Sequence, residues 1–297
     1  MAERKPITTL KLAKMKQDGL PITMITAYDY PSAQLADEAG MDMILVGDSL
    51  GNVVLGYDST LPVTLDDMVY HSRAVNRAVK SSFVVTDMPF LTYHGSLDTT
   101  LQNVGRIMRE GGSKAVKMEG GREIADTVRA VVQSGVPVIG HVGLTPQSVH
   151  QLGGFRVQGK DSAQVRKLFD DVLALEQAGV TAVVLELVTE DIAAEITAKV
   201  SIPTIGIGAG GGCDGQVLVF HDLLQYGSHI APKRFVKTYA DIGTQIRDAI
   251  AAYGEDVRSR QFPAKEHAFP KPQQDGPAPA DKPEPQEDHV PLYGNSR

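Results

Sequence analysis

The sequence lacks the features of secreted and membrane-spanning proteins. Its 297 residues contain a single cysteine, Cys213, which cannot form an internal disulfide. The amino-terminal stretch MAERKPITTL has no apolar core of the kind that secretory signals carry. No run approaches the roughly 18 to 20 apolar residues that are needed to cross a bilayer. We therefore expect a cytoplasmic protein that makes no membrane contact.

Concentrated charge is also missing. The net charge is -7, and lysine and arginine are spread along the chain without a basic block or basic residues interleaved with aromatic ones. This distribution argues against a nucleic acid as the main partner. With 42% hydrophobic residues, the chain can bury the core of one large domain.

Apolar runs alternate with amphipathic segments through most of the chain. The runs predict strands at 21–29, 41–49, 82–89, 114–119, 136–143, 182–187, 202–210 and 216–222. Helices are predicted near 31–39, 65–80, 97–110, 122–134, 161–178, 189–199 and 233–253. Because eight strand–helix units of about 250 residues are typical of a (β/α)8 TIM barrel, we predict that fold for residues 21–255. A doubly wound sheet gives a similar alternation, but no GxGxxG follows the first strand.

Both ends of the chain differ from this middle part. Residues 1–20 are predicted to form a helical cap over the amino-terminal mouth of the barrel, with Thr8 or Thr9 capping the helix. Residues 256–297 are polar and rich in proline, as in DGPAPADKPEPQED. We predict a disordered tail there, because its small apolar content cannot offset the entropy lost on ordering.

Three acidic residues each end an apolar run. They are Asp48 in MILVGDS, Asp87 in FVVTDMP and Glu119 in AVKMEGG. The carboxyl ends of parallel strands open toward ligands, so these side chains are expected to converge there. Mg²⁺ prefers hard oxygen ligands, and a magnesium site is therefore predicted. A single acid at such a position can instead cap a helix or pair with a loop cation.

Lys117 lies two residues before Glu119 and therefore on the same face of its strand. A lysine facing into a barrel is costly unless it meets an anion, so it is a candidate for binding a substrate carboxylate. It could also form a Schiff base with a ketone, or only neutralise the neighbouring acids.

Two more side chains end later strands. Glu186 closes the sixth predicted strand, where a carboxylate away from the metal could act as a general base; a helix cap is the alternative. His141 ends the fifth strand and could donate to a carbonyl or enolate oxygen, or simply lie in the core. The glycine-rich run at 206–216 resembles the phosphate-binding loop of many barrels, although it lacks the GK[ST] ending of a P-loop.

Longer blocks of sequence resemble one known family. The segments GDSLGNVVLGYDSTLPVTLDDM, DMPF, KMEGG, HVGLTPQSVHQLGGFRVQGK and IPTIGIGAGGGCDGQVLVFHD are similar to those of the ketopantoate hydroxymethyltransferase family, and the match spans about residues 5–255. The resemblance implies a barrel of the phosphoenolpyruvate/pyruvate superfamily that works in pantothenate and coenzyme A synthesis. It implies transfer of a hydroxymethyl group from the co-substrate 5,10-methylenetetrahydrofolate to the keto acid 3-methyl-2-oxobutanoate.

The same resemblance implies roles for particular residues. Three positions match the ligands of one Mg²⁺ per subunit: Asp48, Asp87 and Glu119. Four match contacts to the keto acid: Asp48, Ser49, Asp87 and Lys117. Glu186 matches the base, and the family implies a homodecamer built as a pentamer of dimers. Two alternatives stay open: a folate-independent metal-dependent aldolase or lyase of the same superfamily, and a catalytically silent barrel that serves as a scaffold.

Overall fold

The computed structural model describes residues 4–227 and 233–271. Within them, eight parallel strands pair in chain order, and the last pairs with the first to close a barrel. The strands are β1 Ile22–Thr26, β2 Met43–Val46, β3 Phe83–Asp87, β4 Ala115–Glu119, β5 Val138–Gly143, β6 Ala182–Glu186, β7 Thr204–Ile207 and β8 Gly215–Leu218. This topology confirms the predicted (β/α)8 TIM barrel.

Helices precede and connect these strands. They are α1 Thr9–Gln17, α2 Tyr30–Glu38, α3 Leu50–Val53, α4 Leu65–Ala78, α5 Leu97–Arg106, α6 Ala125–Gln133, α7 Val149–Leu152, α8 Ser162–Ala178, α9 Glu190–Lys199, α10 Phe220–Leu224 and α11 Ile242–Arg258. Several starts are encoded locally. Thr64 and Asp67 form a capping box at α4, and Asp161 accepts hydrogen bonds from two backbone amides at α8.

Contacts divide the chain into two units, residues 1–245 and 246–297. The first unit contains all eight strands. The second contains most of α11 and a short 3-10 turn, Lys265–His267. Residues 272–297, the larger part of the predicted proline-rich tail, lie outside the described residues. The domain boundaries proposed from the sequence therefore stay predictions.

Alternation along each strand decides which side chains face into the barrel. On β3, Phe83, Val85 and Asp87 share one face. Phe83 and Val85 belong to a buried cluster with inward residues of the other strands, such as Ile139, Val184 and Ile205. Asp87 continues the same row at the carboxyl end. Each inward row is thus apolar at the amino end of the barrel, and the rows of β3 to β6 carry polar side chains toward the carboxyl end.

Helix α1 joins this interior cluster. Its residues Leu12 and Met15, together with Ile7 just before it, are buried in the same cluster as the inward strand residues. Thr8 is the N-cap, as one of the two sequence alternatives predicted, and its hydroxyl oxygen accepts a hydrogen bond from the Lys11 amide at 3.2 Å. The amino-terminal segment therefore buries its apolar side chains against the base of the barrel core.

Two sequence predictions need correction. The eighth strand ends at Leu218 rather than continuing to residue 222, because the Phe220 amide donates to Thr26 Oγ1 at 2.9 Å and the chain turns into α10. The last helix begins at Ile242, not near residue 233. Asp241 accepts a hydrogen bond from the Thr244 amide at 3.0 Å, which is the bond that an N-cap makes.

Candidate active site

Inward-facing strand ends bring most of the predicted site residues together. The pairing register aligns Asp87 with Lys117, Glu119 with His141, and Gly143 with Glu186 on neighbouring strands. Because these strands are parallel and adjacent, the side chains meet at the carboxyl end of the barrel. Asp48 and Ser49 follow β2 and complete the cluster.

The ammonium group of Lys117 lies at the centre of the cluster. Its Nζ is 3.0 Å from Asp87 Oδ1, 3.8 Å from Glu119 Oε1 and 3.2 Å from His141 Nδ1. Burial opposes its charge, but Asp87, Glu119 and Asp48 outweigh burial and raise the pKa of Lys117 above its usual range. A Schiff-base lysine must lose its proton before it attacks a ketone. The geometry therefore favours anion binding over imine formation.

His141 connects this centre to Glu186. Its Nδ1 lies 3.3 Å from Glu119 Oε1, and its Nε2 lies 3.2 Å from Glu186 Oε2. Burial and Lys117 oppose protonation, but the two carboxylates outweigh them and raise the pKa of His141 to about 9. Near neutral pH, His141 is therefore an imidazolium that faces one carboxylate with each ring nitrogen.

Asp48 and Asp87 form the second half of the cluster. The Asp48 amide donates to Asp87 Oδ2 at 3.0 Å. Burial first, and then the charges of Asp87 and Glu119, raise the pKa of Asp48 well above its usual range. Burial also raises the pKa of Asp87, although Lys117 opposes the shift. Within the described residues, Asp87 Oδ1 accepts no well-aligned hydrogen bond.

Ser49 is held by a buried tyrosine. Its Oγ lies 2.8 Å from the Tyr28 hydroxyl, and either oxygen can donate. Burial raises the pKa of Tyr28 above its usual range, so the phenol stays neutral. Tyr28 therefore fixes the Ser49 side chain without adding charge to the site.

Two buried residues that sequence reasoning did not single out also belong to the site. Gln147, in the 3-10 turn Pro146–Ser148 after β5, donates through Nε2 to Asp48 Oδ2 at 2.8 Å. The hydroxyl of Tyr93, after β3, can donate to Gln147 Oε1 at 2.9 Å or to the Glu119 carbonyl at 3.0 Å, and it accepts a hydrogen bond from the Glu119 amide at 3.1 Å. Neither stands at the end of an apolar run, so no local pattern marks them.

None of the four acids is the N-cap of the helix that follows its own strand; after Asp87, for example, Ser96 is the N-cap of α5. α9, the helix after Glu186, has Thr189 at its N-cap position. The helix after β2 has Ser49 there, and the turn after β4 has Gly121. The carboxylates are therefore left to interact with one another, with Lys117 and with whatever enters the cavity.

These residues line one cavity of about 480 Å³. The exposed ring of Phe155, on the loop after β5, lies at its border together with Phe235. Gly143 has a φ of +96°, and a Cβ there would lie only 2.3 Å from the Glu186 carbonyl oxygen. A glycine is thus required where β5 passes the backbone that carries Glu186.

The glycine-rich segment lies against an acidic side chain of α9. A Cβ at Gly210 would lie 2.3 Å from Glu190 Cγ, and the Gly211 amide points to Glu190 Oε1 at 3.5 Å. A carboxylate next to this turn would repel a phosphate. The turn therefore packs against α9, and the position of Glu190 argues against a phosphate site there.

The donor set fits a magnesium ion that is held partly by substrate and water. Among residues 4–227 and 233–271, no three or more His, Cys, Asp or Glu side chains are arranged to hold a metal ion. Mg²⁺ commonly uses only one or two carboxylates and keeps several waters. Asp48 and Asp87 meet that need, because they are neighbouring buried carboxylates and Asp87 Oδ1 has no aligned hydrogen-bond donor among the described residues.

Glu119 is less available as a ligand. Its Oε1 faces His141 and Lys117, and its Oε2 accepts a hydrogen bond from the Gln147 amide at 3.0 Å. These partners outweigh burial and lower the pKa of Glu119. Its role as a third metal ligand stays a prediction.

No helix within the described parts of the chain is both long and apolar enough to cross a membrane.

Sequence comparisons agree on one family. The family model described as ketopantoate hydroxymethyltransferase matches residues 6–265. A protein of Moorella thermoacetica named 3-methyl-2-oxobutanoate hydroxymethyltransferase is 55% identical over 269 residues, which are 91% of this chain and 100% of that protein. A protein of the same name from Geobacillus sp. (strain WCH70) is 57% identical over 256 residues, covering 86% of this chain and 91% of that protein.

Solved structures show the same barrel at much lower sequence identity. A phosphonopyruvate hydrolase in complex with oxalate and Mg²⁺ superposes with a TM-score of 0.54 at 15% identity, over 88% of this chain and 93% of that one. A 2,3-dimethylmalate lyase, described as a member of the PEP mutase/isocitrate lyase superfamily, gives 0.55 at 15% identity over 88% and 89%. At this identity the likeness shows the fold alone.

Proposed function

Because the chain belongs to the ketopantoate hydroxymethyltransferase family, and is thus a transferase, we propose that it moves a hydroxymethyl group from 5,10-methylenetetrahydrofolate to 3-methyl-2-oxobutanoate. The products are 2-dehydropantoate and tetrahydrofolate, and one water is consumed. The product would supply pantothenate and coenzyme A synthesis.

One feature of the cavity carries this proposal. A series of alternating cationic and anionic side chains runs from Lys117 through Glu119 and His141 to Glu186, with contacts of 3.8, 3.3 and 3.2 Å. A buried ammonium that can hold an anionic substrate is thereby linked to a carboxylate that can accept a proton. Deprotonation of a keto acid next to its carbonyl needs both.

The keto acid binds through its negative charge. Lys117 stays protonated, so it attracts the substrate carboxylate, and Ser49 offers a hydroxyl that Tyr28 holds in place. Asp48 and Asp87 would hold the Mg²⁺ ion, which when bound supplies Lewis-acid stabilisation of negative charge on the substrate oxygens. Four carboxylates around two cationic side chains leave an excess of negative charge that favours a divalent cation.

Glu186 is the base. Its side chain is 19% exposed and lines the cavity, whereas the other acids of the cluster are almost fully buried. It removes the proton from C3 of the keto acid, and the electron pair forms the new bond to the methylene carbon of the folate while the bond from that carbon to one folate nitrogen breaks and this nitrogen takes up the proton. Water then replaces the second nitrogen, which supplies the hydroxyl of 2-dehydropantoate and the last proton of tetrahydrofolate. His141 Nε2 lies 3.2 Å from Glu186 Oε2, and its positive charge stabilises that carboxylate.

Assembly is part of the proposal. On the family resemblance, ten copies of the chain associate as a pentamer of dimers. Light scattering coupled to size-exclusion chromatography measures this directly, and a monomeric active enzyme would contradict it.

An assay with 3-methyl-2-oxobutanoate and 5,10-methylenetetrahydrofolate, with and without Mg²⁺, tests the reaction. Mass spectrometry should identify 2-dehydropantoate only when both substrates are present. The control replaces the folate with free formaldehyde. Turnover with formaldehyde and no rate gain from the folate would instead identify a metal-dependent aldolase.

A further inference from the structure

Gln147 is buried although it lies on a loop. It follows β5 in the turn Pro146–Ser148, and it touches polar groups that come from three different strand–loop connections. Its Nε2 donates to Asp48 Oδ2 at 2.8 Å and to the Met88 carbonyl at 3.0 Å. Its backbone amide donates to Glu119 Oε2 at 3.0 Å. One residue thus contacts two of the three carboxylates.

The direction of the Gln147 amide is fixed by its partners. Nε2 lies next to an Asp48 carboxyl oxygen and the Met88 carbonyl oxygen, and the carbonyl can only accept. Next to Oε1 is the Tyr93 hydroxyl at 2.9 Å, whose single hydrogen can go there or to the Glu119 carbonyl at 3.0 Å. A flipped amide would place its oxygen against the Met88 carbonyl, where neither group can donate. The Met88 carbonyl therefore fixes the donor of Gln147 toward Asp48.

The hydrogen bond from Gln147 determines which carboxyl oxygen of Asp48 has no protein partner among the described residues. Oδ2 is held by Gln147, whereas Oδ1 accepts no hydrogen bond from any described residue, and it is not among their fully shielded unpartnered atoms. Asp48 lines the cavity, so Oδ1 is the oxygen available there. An amide holds the carboxylate without a charge of its own. A lysine would neutralise Asp48, and a glutamate would add a repelling acid.

We propose that Gln147 is a positioning residue that presents Asp48 Oδ1 to a divalent cation. The role rests on the proposed function, in which Asp48 and Asp87 hold Mg²⁺. Hydrogen-bond partners behind a metal ligand fix its orientation, and their loss commonly weakens metal binding by about 10- to 100-fold. Gln147 is not expected to touch the substrates.

The test is the full-length variant Gln147→Met, which keeps the length of the side chain and removes its polar end. Calorimetric titration with Mg²⁺ alone should show binding about 10- to 100-fold weaker than in the wild type. At saturating Mg²⁺, kcat should approach the wild-type value. A merely structural role would lower kcat without moving the Mg²⁺ concentration for half-maximal activity. The matched control is Gln151→Met, an exposed glutamine four residues further along, which should change neither value.

Folding is checked by circular dichroism and light scattering. If Gln147→Met does not fold, Tyr93→Phe is measured in its place, because it removes the hydroxyl that contacts Gln147 Oε1 and should weaken Mg²⁺ binding several-fold. Unchanged Mg²⁺ affinity in a folded Gln147→Met, or in Tyr93→Phe when the first variant fails, overturns the inference. So does a wild type that binds no Mg²⁺. A wild type that binds Mg²⁺ but makes no 2-dehydropantoate refutes the proposed reaction instead.

Discussion

Replacing Glu186 with glutamine separates proton transfer from substrate binding. Glu186 ends β6, while Lys117 lies on β4 and Asp87 on β3. Glutamine has the same size, and its amide oxygen can still face His141 Nε2, which lies 3.2 Å from the present carboxylate oxygen. The variant therefore leaves the anion-binding centre intact and removes only the group that accepts a proton.

The size of the effect follows from this separation. A well-placed general base contributes on the order of 10² to 10⁴ in rate, so kcat should fall by about that factor. Keto-acid affinity should stay within about twofold, because Lys117 keeps all of its neighbours. A large loss in kcat with an unchanged dissociation constant is the signature of a group that acts on the reacting bond.

The decisive assay is exchange of the C3 hydrogen of 3-methyl-2-oxobutanoate in deuterated water, followed by NMR without folate. Exchange needs only proton removal, so it isolates the step assigned to Glu186. The control is Glu195→Gln, an exposed acid on α9 that should exchange at the wild-type rate. If Glu186→Gln also exchanges at the wild-type rate, Glu186 is not the base, and His141 becomes the next residue to test.

Three other predictions address the metal, the buried histidine and the tail. Asp87→Ala removes a hard ligand, so its Mg²⁺ affinity and its turnover rate should each fall about 100-fold while the protein remains folded. Calorimetry measures the affinity and the transfer assay measures the rate. A fully active variant would contradict the assignment. The raised pKa of His141, about 9, means that its protonation stabilises the folded state fully below the unfolded value of about 6.5, and that this contribution disappears as pH rises through 9. Denaturation midpoints of the metal-free protein should therefore fall between pH 7 and 10, and His141→Gln should flatten that decline; equal slopes in the two proteins would count against it. Deleting residues 272–297 should leave turnover and assembly unchanged, because the family match ends at residue 265; a truncated chain that dissociates in light scattering would disprove this.

The alternation of apolar runs with amphipathic segments, and the acids at the ends of those runs, account for what could be predicted from the sequence. Each apolar run that is buried on both faces forms a strand. Because the strands are parallel, the acids at their ends lie together at the carboxyl end of the barrel. The approximate positions of Asp87, Glu119 and Glu186 follow from those two facts. Their pairing also follows, since neighbouring parallel strands bring their final residues side by side.

Loop contacts could not be predicted in this way. Gln147 reaches Asp48 across 99 residues of chain, and nothing in its local sequence signals that contact. The early end of β8 has a similar cause, since the hydrogen bond from Phe220 to Thr26 joins segments 194 residues apart. Such long-range hydrogen bonds depend on how the loops pack against the barrel. The pattern of apolar residues in the sequence does not specify that packing.

The apolar cluster shared by α1 and the inward strand residues also closes the cavity on the side of the barrel core. Leu45, Val184 and Val217 belong to that cluster and line the cavity as well, so they form its floor. With this floor closed, the proposed substrates and products are expected to pass through the mouth at the carboxyl end of the barrel. The keto acid would then meet the charged strand ends above the apolar floor, and a bulky folate bound over it would block its exit. The proposed reaction is therefore expected to be ordered, with the keto acid binding before the folate and tetrahydrofolate leaving before 2-dehydropantoate.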